Sequence, residues 1–124
     1  GLRVVPLVGP VSLLLALAAS GLNGRNFAFV GYLPQDGQER TQRIKELEGI
    51  ALRTGQTQLF IETPYRNPAL WQALVQTLQP HTRLALASGL TLPEARIHSQ
   101  LVRQWRQQPA PPDNRTPVVF ALGR

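Results

Sequence analysis

The sequence contains no cysteine and no methionine among its 124 residues. Without cysteine there is no disulfide framework, thiolate metal site, iron–sulfur cluster or cysteine nucleophile. Lysine is nearly absent too, Lys45 standing alone beside twelve arginines. Long apolar runs are also lacking. The longest, Val11 to Ala19, is too short to span a bilayer, and no basic segment precedes it as in a signal peptide. A membrane anchor is therefore not expected, and cytoplasmic residence is. The only histidines, His81 and His98, fall in a polar turn after Pro80 and in an expected edge strand. Both read as surface residues, and no metal site is expected. The G-x-S-x-G elbow, the Walker loop and the G-x-G-x-x-G fingerprint are all missing, which argues against a hydrolase triad and a Gly-rich phosphate cradle.

What is present suffices for one folded domain, since 43% of the residues are hydrophobic and the length is near the modal domain size. The net charge of +6 is carried almost wholly by guanidinium groups, which suit forked contacts with carboxylate or phosphate. That charge fits an anionic partner and equally fits a solvated Arg-rich surface. A second class of function therefore stands beside enzymes: a basic, non-catalytic module gripping RNA or another polyanion. The chain opens directly on a strand-like run, Gly1 to Val5, which predicts that it is a piece of a larger protein.

Along the chain, apolar strand-like runs alternate with helical patterns. Leu2–Leu7 reads as a strand, Val8-Gly9-Pro10 as a turn, and 11–20 as a buried helix closed by Gly21. Phe27–Leu33 reads as a strand stopped by Pro34. Over 38–52, Ile44, Leu47 and Ala51 share one face while Glu39 and Arg43 form an outer i,i+4 pair. Leu59–Ile61 is a short strand, followed by a loop from Glu62 to Arg66. Asn67 caps and Pro68 opens a helix over 68–79, lined by Leu70, Trp71, Leu74 and Leu78. Arg83–Ala87 and Arg96–Leu101 read as strands, Val102–Gln107 as a short helix around Trp105, and Pro117–Leu122 as the last strand. Both tryptophans fall at core positions. The fold class is α/β, a mixed sheet of four to five strands flanked by helices.

Among the seven acids, Glu62 alone ends an apolar strand, where open α/β sheets present ligand-facing residues. Beside Tyr65 and Arg66 it either accepts a ligand hydroxyl or amine or forms an ion pair with Arg66. No general base or other catalytic residue is identifiable.

Three segments in order resemble the tetrapyrrole (corrin/porphyrin) methylase family of S-adenosylmethionine-dependent methyltransferases. They are Arg3 to Leu14 with Leu17 to Leu22 behind it, Phe27 to Pro34, and Phe60 to Arg66. The latter two are most similar to the branch that methylates riboses of ribosomal RNA. Ser88-Gly89-Leu90-Thr91-Leu92 stands where that branch carries Arg-Glu-Leu-Thr-Lys, without its acid and two cations. The resemblance implies that residues 1–124 are a single C-terminal subdomain, with 1–10 as lead-in strand and turn and the N-terminal subdomain lying outside. It implies S-adenosyl-L-methionine as cofactor, contacted by Val11, Ser12, Glu62, Gly89, Pro117 and Val118. Tyr65 and Arg66 are the expected substrate-binding residues. The implied partners are the N-terminal subdomain of the same chain and a tetrapyrrole or RNA substrate, and the Leu2–Leu7 strand, left unpaired without that subdomain, invites a homodimer. Alone, this piece is expected to be inactive.

Overall fold

The computed structural model describes residues 26–88 and 96–124. They form strands β1 (Phe27–Tyr32), β2 (Thr57–Ile61), β3 (Arg83–Ser88), β4 (Arg96–Leu101) and β5 (Val118–Gly123). Helices α1 (Gly37–Thr54), α2 (Asn67–Thr77) and α3 (Val102–Gln107) lie between them, and one 3-10 turn, Pro64–Arg66, leads into α2. The expected strand at 2–7 and helix at 11–20 lie outside the described residues. The sheet has five strands in the order β1-β2-β5-β3-β4. Strands β1 and β2 run parallel and every other pair is antiparallel. This is the mixed α/β architecture that the interleaved pattern predicts.

Local chemistry sets the helix ends. The Asp36 carboxylate accepts hydrogen bonds from the Gln38 and Glu39 amides at 3.1 and 3.0 Å, capping α1. Gly55, at φ 78°, closes it in the left-handed region. The ion pair on its outer face is Arg43–Glu46 at 3.2 Å rather than the expected Glu39–Arg43 pair. On a helix the i+3 neighbour is as close as the i+4 one, and spacing alone does not choose between them. A larger correction concerns Asn67. It does not cap α2: the N-cap is Arg66, and Asn67 has helical angles (φ −54°, ψ −44°) and is fully buried. The 3-10 turn runs straight into α2, so Asn67 lies inside the helical run and its side chain bonds elsewhere. At the other end of α2, Arg106 of α3 donates to the carbonyls of Val75 (2.9 Å) and Leu78 (2.7 Å). A guanidinium there satisfies orphan C=O groups and opposes the negative end of the helix dipole.

The core lies between the helices and one face of the sheet. Register places Phe60 opposite Phe120, and their rings stack with centroids 5.8 Å apart. Leu84, Leu86 and Leu122 extend this layer against Ile44, Leu47, Leu70, Leu74 and Leu78. Burying each such side chain contributes about 1.5–3 kcal/mol. Trp105 meets Trp71 edge-on and donates its indole N–H to the Leu84 carbonyl at 2.8 Å, which joins α3 to β3. The opposite face carries smaller side chains, Ala85, Ala87 and Ala121 with Leu59.

Candidate functional site

Strand pairing brings residues from all five strands to one end of the sheet. Ser88 lies opposite both Val118 and Arg96, Ile61 opposite Val119, and Tyr32 opposite Ile61. A cavity of about 270 Å³ opens there, walled by Glu62, Thr63 and Pro64 on one side and Pro117, Val118 and Val119 on the other. Tyr32 and Ile61 complete it. Three of the expected cofactor-binding residues, Glu62, Pro117 and Val118, therefore stand around one space although more than fifty positions separate them in sequence.

Glu62 is buried, with 6% of its surface exposed. Its Oε1 accepts from the Thr63 amide at 2.8 Å and, more weakly, from the Thr63 hydroxyl at 3.4 Å. Among the described residues it makes no ion pair with Arg66, so the salt-bridge alternative is corrected. The 3-10 turn carries Arg66 away, and its guanidinium lies over the Tyr65 ring, 4.8 Å from the centroid. Tyr65 is 64% exposed and, like Arg66, stands beside the cavity rather than in its wall.

The segment that delivers Pro117 and Val118 is held from two directions. The Asp113 carboxylate accepts from the amides of Arg115 (2.9 Å) and Thr116 (2.7 Å) and from the Thr116 hydroxyl (3.0 Å). The amide bonds of Arg115 and Thr116, then the Thr116 hydroxyl, hold the Asp113 carboxyl below its ordinary pKa. From the other side, Asn67 Nδ2 donates to the Thr116 carbonyl at 3.1 Å. A second cavity of about 290 Å³ shares Val118 with the first and is lined by Ser88, Arg96, His98, Trp105, Asp113 and Thr116. His98 packs edge-on against Trp105, with centroids 5.4 Å apart.

Sequence reasoning missed Tyr32, Asn67 and Asp113 as contributors to this end of the sheet. Tyr32 owes its place to Gly31, whose φ of 77° coincides with a register shift in the β1–β2 ladder. Nothing lies within 4 Å of a Cβ built on Gly31, so its backbone angle, not space, calls for glycine. A glycine one residue before the end of an aromatic strand was the available signal. Val11, Ser12 and Gly89 lie outside the described residues. Among the described residues no three His, Cys, Asp or Glu side chains gather as metal ligands, and no helix is long and apolar enough to cross a membrane.

No family model matches the chain. It is 34% identical over 91 residues to ribosomal RNA small subunit methyltransferase I of Vibrio cholerae, covering 73% of this chain and 30% of that protein. It is 30% identical over 122 residues to the protein of the same name from Haemophilus influenzae, covering 98% of this chain and 42% of the relative. The chain thus spans well under half the length of these curated relatives, matching their C-terminal portion. Its fold is that of the methyltransferase CobJ, with a TM-score of 0.54 at 21% identity over 90% of this chain and 46% of the other.

Proposed function

From a chain that belongs to the tetrapyrrole methylase family, we propose the C-terminal, cleft-forming part of an S-adenosyl-L-methionine-dependent RNA methyltransferase. The observation that carries this reading is the strand-end cavity, where Glu62 faces Pro117 and Val118. Its walls combine a carboxylate with apolar surface, the chemistry a nucleoside-bearing ligand requires. Glu62 is oriented by Thr63 and accepts from a ribose hydroxyl or an amino group, while Pro117, Val118 and Ile61 offer apolar contact to a flat ring. The N-terminal part of the same protein covers the cavity from outside and supplies the remaining contacts.

When bound, the cofactor supplies an electrophilic methyl group on a sulfonium. The residues of this chain bind and orient, and none becomes covalently modified. Transfer requires the acceptor oxygen in line at about 3 Å, so positioning supplies most of the acceleration. The relatives bear the name of ribosomal RNA methyltransferases, and RNA is the acceptor class proposed in preference to a tetrapyrrole. Arg66, Arg96 and Arg115 stand at the cavity's end of the sheet and neutralise phosphates, with Tyr65 beside Arg66 as a stacking surface. The cytoplasm, where ribosomal RNA is modified, is the proposed place of action.

The test is to incubate full-length protein with small-subunit ribosomal RNA and a methyl donor labelled on the methyl group. Label in RNA, reduced by Glu62→Ala through a raised KM for the donor, supports the reading. Absence of both RNA labelling and S-adenosylhomocysteine binding would overturn it.

A further inference from the structure

Asn67 is completely buried, yet it carries an amide where the surrounding helix face is apolar: Leu70, Trp71, Leu74 and Val75. Its only described side-chain hydrogen bond goes from Nδ2 to the Thr116 carbonyl, across 49 residues of sequence. Because a carbonyl can only accept, that bond also fixes which end of the amide is nitrogen. The other end, Oδ1, is buried with no partner among the described residues. A buried carbonyl without a donor is costly, and an aliphatic side chain would avoid the cost. The bond to Thr116 is what the asparagine provides in return.

The position of that bond is informative. Asn67 lies three residues after Pro64, which with Glu62 and Thr63 forms one wall of the strand-end cavity, and Thr116 directly precedes Pro117 and Val118 in the other. Among the described residues, the other polar contacts holding Thr116 come from Asp113, which is exposed and lies within the same loop, and so cannot set the loop's distance from Glu62. Asn67 can. We infer that Asn67 is a positioning residue whose amide ties the 113–118 loop to the start of α2 and thereby fixes the width of the cavity between Glu62 and Val118. The inference rests on the proposed cofactor role of that cavity and deepens it. It assigns Asn67 a task in ligand affinity that core packing would not give it.

The experiment compares Asn67→Ala and Asn67→Leu with Glu48→Gln in the full-length protein. Glu48 makes equally buried contacts, to the Gln79 amide and the Thr82 hydroxyl, at the opposite end of the sheet, and serves as a control for lost stability. Two readouts are taken: S-adenosylhomocysteine affinity by calorimetry, and hydrogen exchange over residues 115–119 without ligand. The expected result is affinity weakened at least about tenfold in both Asn67 variants and changed less than about twofold in Glu48→Gln. Faster exchange over 115–119 should appear only in the Asn67 variants. Asn67→Leu keeps a filled core without an orphaned oxygen, so it reports on the tie even if Asn67→Ala fails to fold. Unchanged exchange over 115–119, or equal affinity losses in Glu48→Gln and the Asn67 variants, would overturn the inference. If wild-type protein bound no S-adenosylhomocysteine, the cofactor reading would fall, while the exchange data would still decide whether Asn67 holds the loop.

Discussion

Glu48 shows how a single side chain secures a junction that hydrophobic packing cannot. It sits on the buried face of α1, 5% exposed, and receives the Gln79 amide at 2.7 Å and the Thr82 hydroxyl at 2.5 Å. The turn between α2 and β3 is thereby fastened to α1. Glu48→Ala leaves two donors without their acceptor, and a loss of about 2–3 kcal/mol is expected in chemical denaturation. Asp113 makes a different kind of contribution. Its carboxyl is held below the ordinary 3.8 by backbone amides of the folded loop. The folded state therefore favours the ionised form, and the stabilisation is full above the unfolded value and lost as pH falls through the lowered folded one. The deficit of Asp113→Ala relative to wild type should accordingly be constant from neutral pH down to about 5 and shrink below 3.8. Thermal unfolding of both proteins across that range checks it. The place of Glu62 at the end of an apolar strand was legible in the sequence, because a lone acid after such a run is a local signal. Glu48 carries no local signal and Asn67 reads locally as a cap, since each is defined by a partner 31 to 49 positions away.

Elements were legible where periodicity was strong. Ile44, Leu47 and Ala51 marked α1, and alternating or continuous apolar runs marked the strands. Their ends were less so. The helix expected over 68–79 stops at Thr77, and its C-terminal carbonyls are capped by an arginine from another helix. No local pattern announces that. Replacing Arg106 by alanine should cost about 1–2 kcal/mol, since two charge-assisted hydrogen bonds are lost at a partly solvated site. Lysine should restore little of it, because one ammonium cannot reproduce the fork that reaches both Val75 and Leu78. Urea unfolding of the two variants measures the difference. In β1, Gly31→Ala should cost roughly 1–2 kcal/mol because its φ of 77° disfavours a Cβ. It should also move Tyr32 relative to the cavity, visible as altered ligand affinity.

For the whole molecule, the α/β class followed from interleaved strands and helices, but the strand order did not. Insertion of β5, the last strand, between β2 and β3 depends on pairings such as Phe60 with Phe120, sixty positions apart. That insertion creates the strand-end cavity, since it carries Pro117 and Val118 to the side of Glu62. The charge of the molecule has a measurable consequence at this end of the sheet. If Arg66, Arg96 and Arg115 contact single-stranded RNA phosphates, each should contribute about −0.7 to the slope of log affinity against log salt, and each Arg→Ala variant should reduce the slope by that amount. Filter binding at several salt concentrations would read it.

The central claim is that the strand-end cavity between Glu62 and Val118 receives the methyl donor. Amide NMR spectra of full-length, isotope-labelled protein titrated with S-adenosylhomocysteine test it without any mutation. The account predicts saturable shifts at Ile61, Glu62, Thr63, Val118 and Val119, with Thr82 and Leu101 at the far end of the sheet unmoved. Saturable binding that left residues 61–63 and 118–119 unshifted and moved the outer face of α1 instead would contradict it.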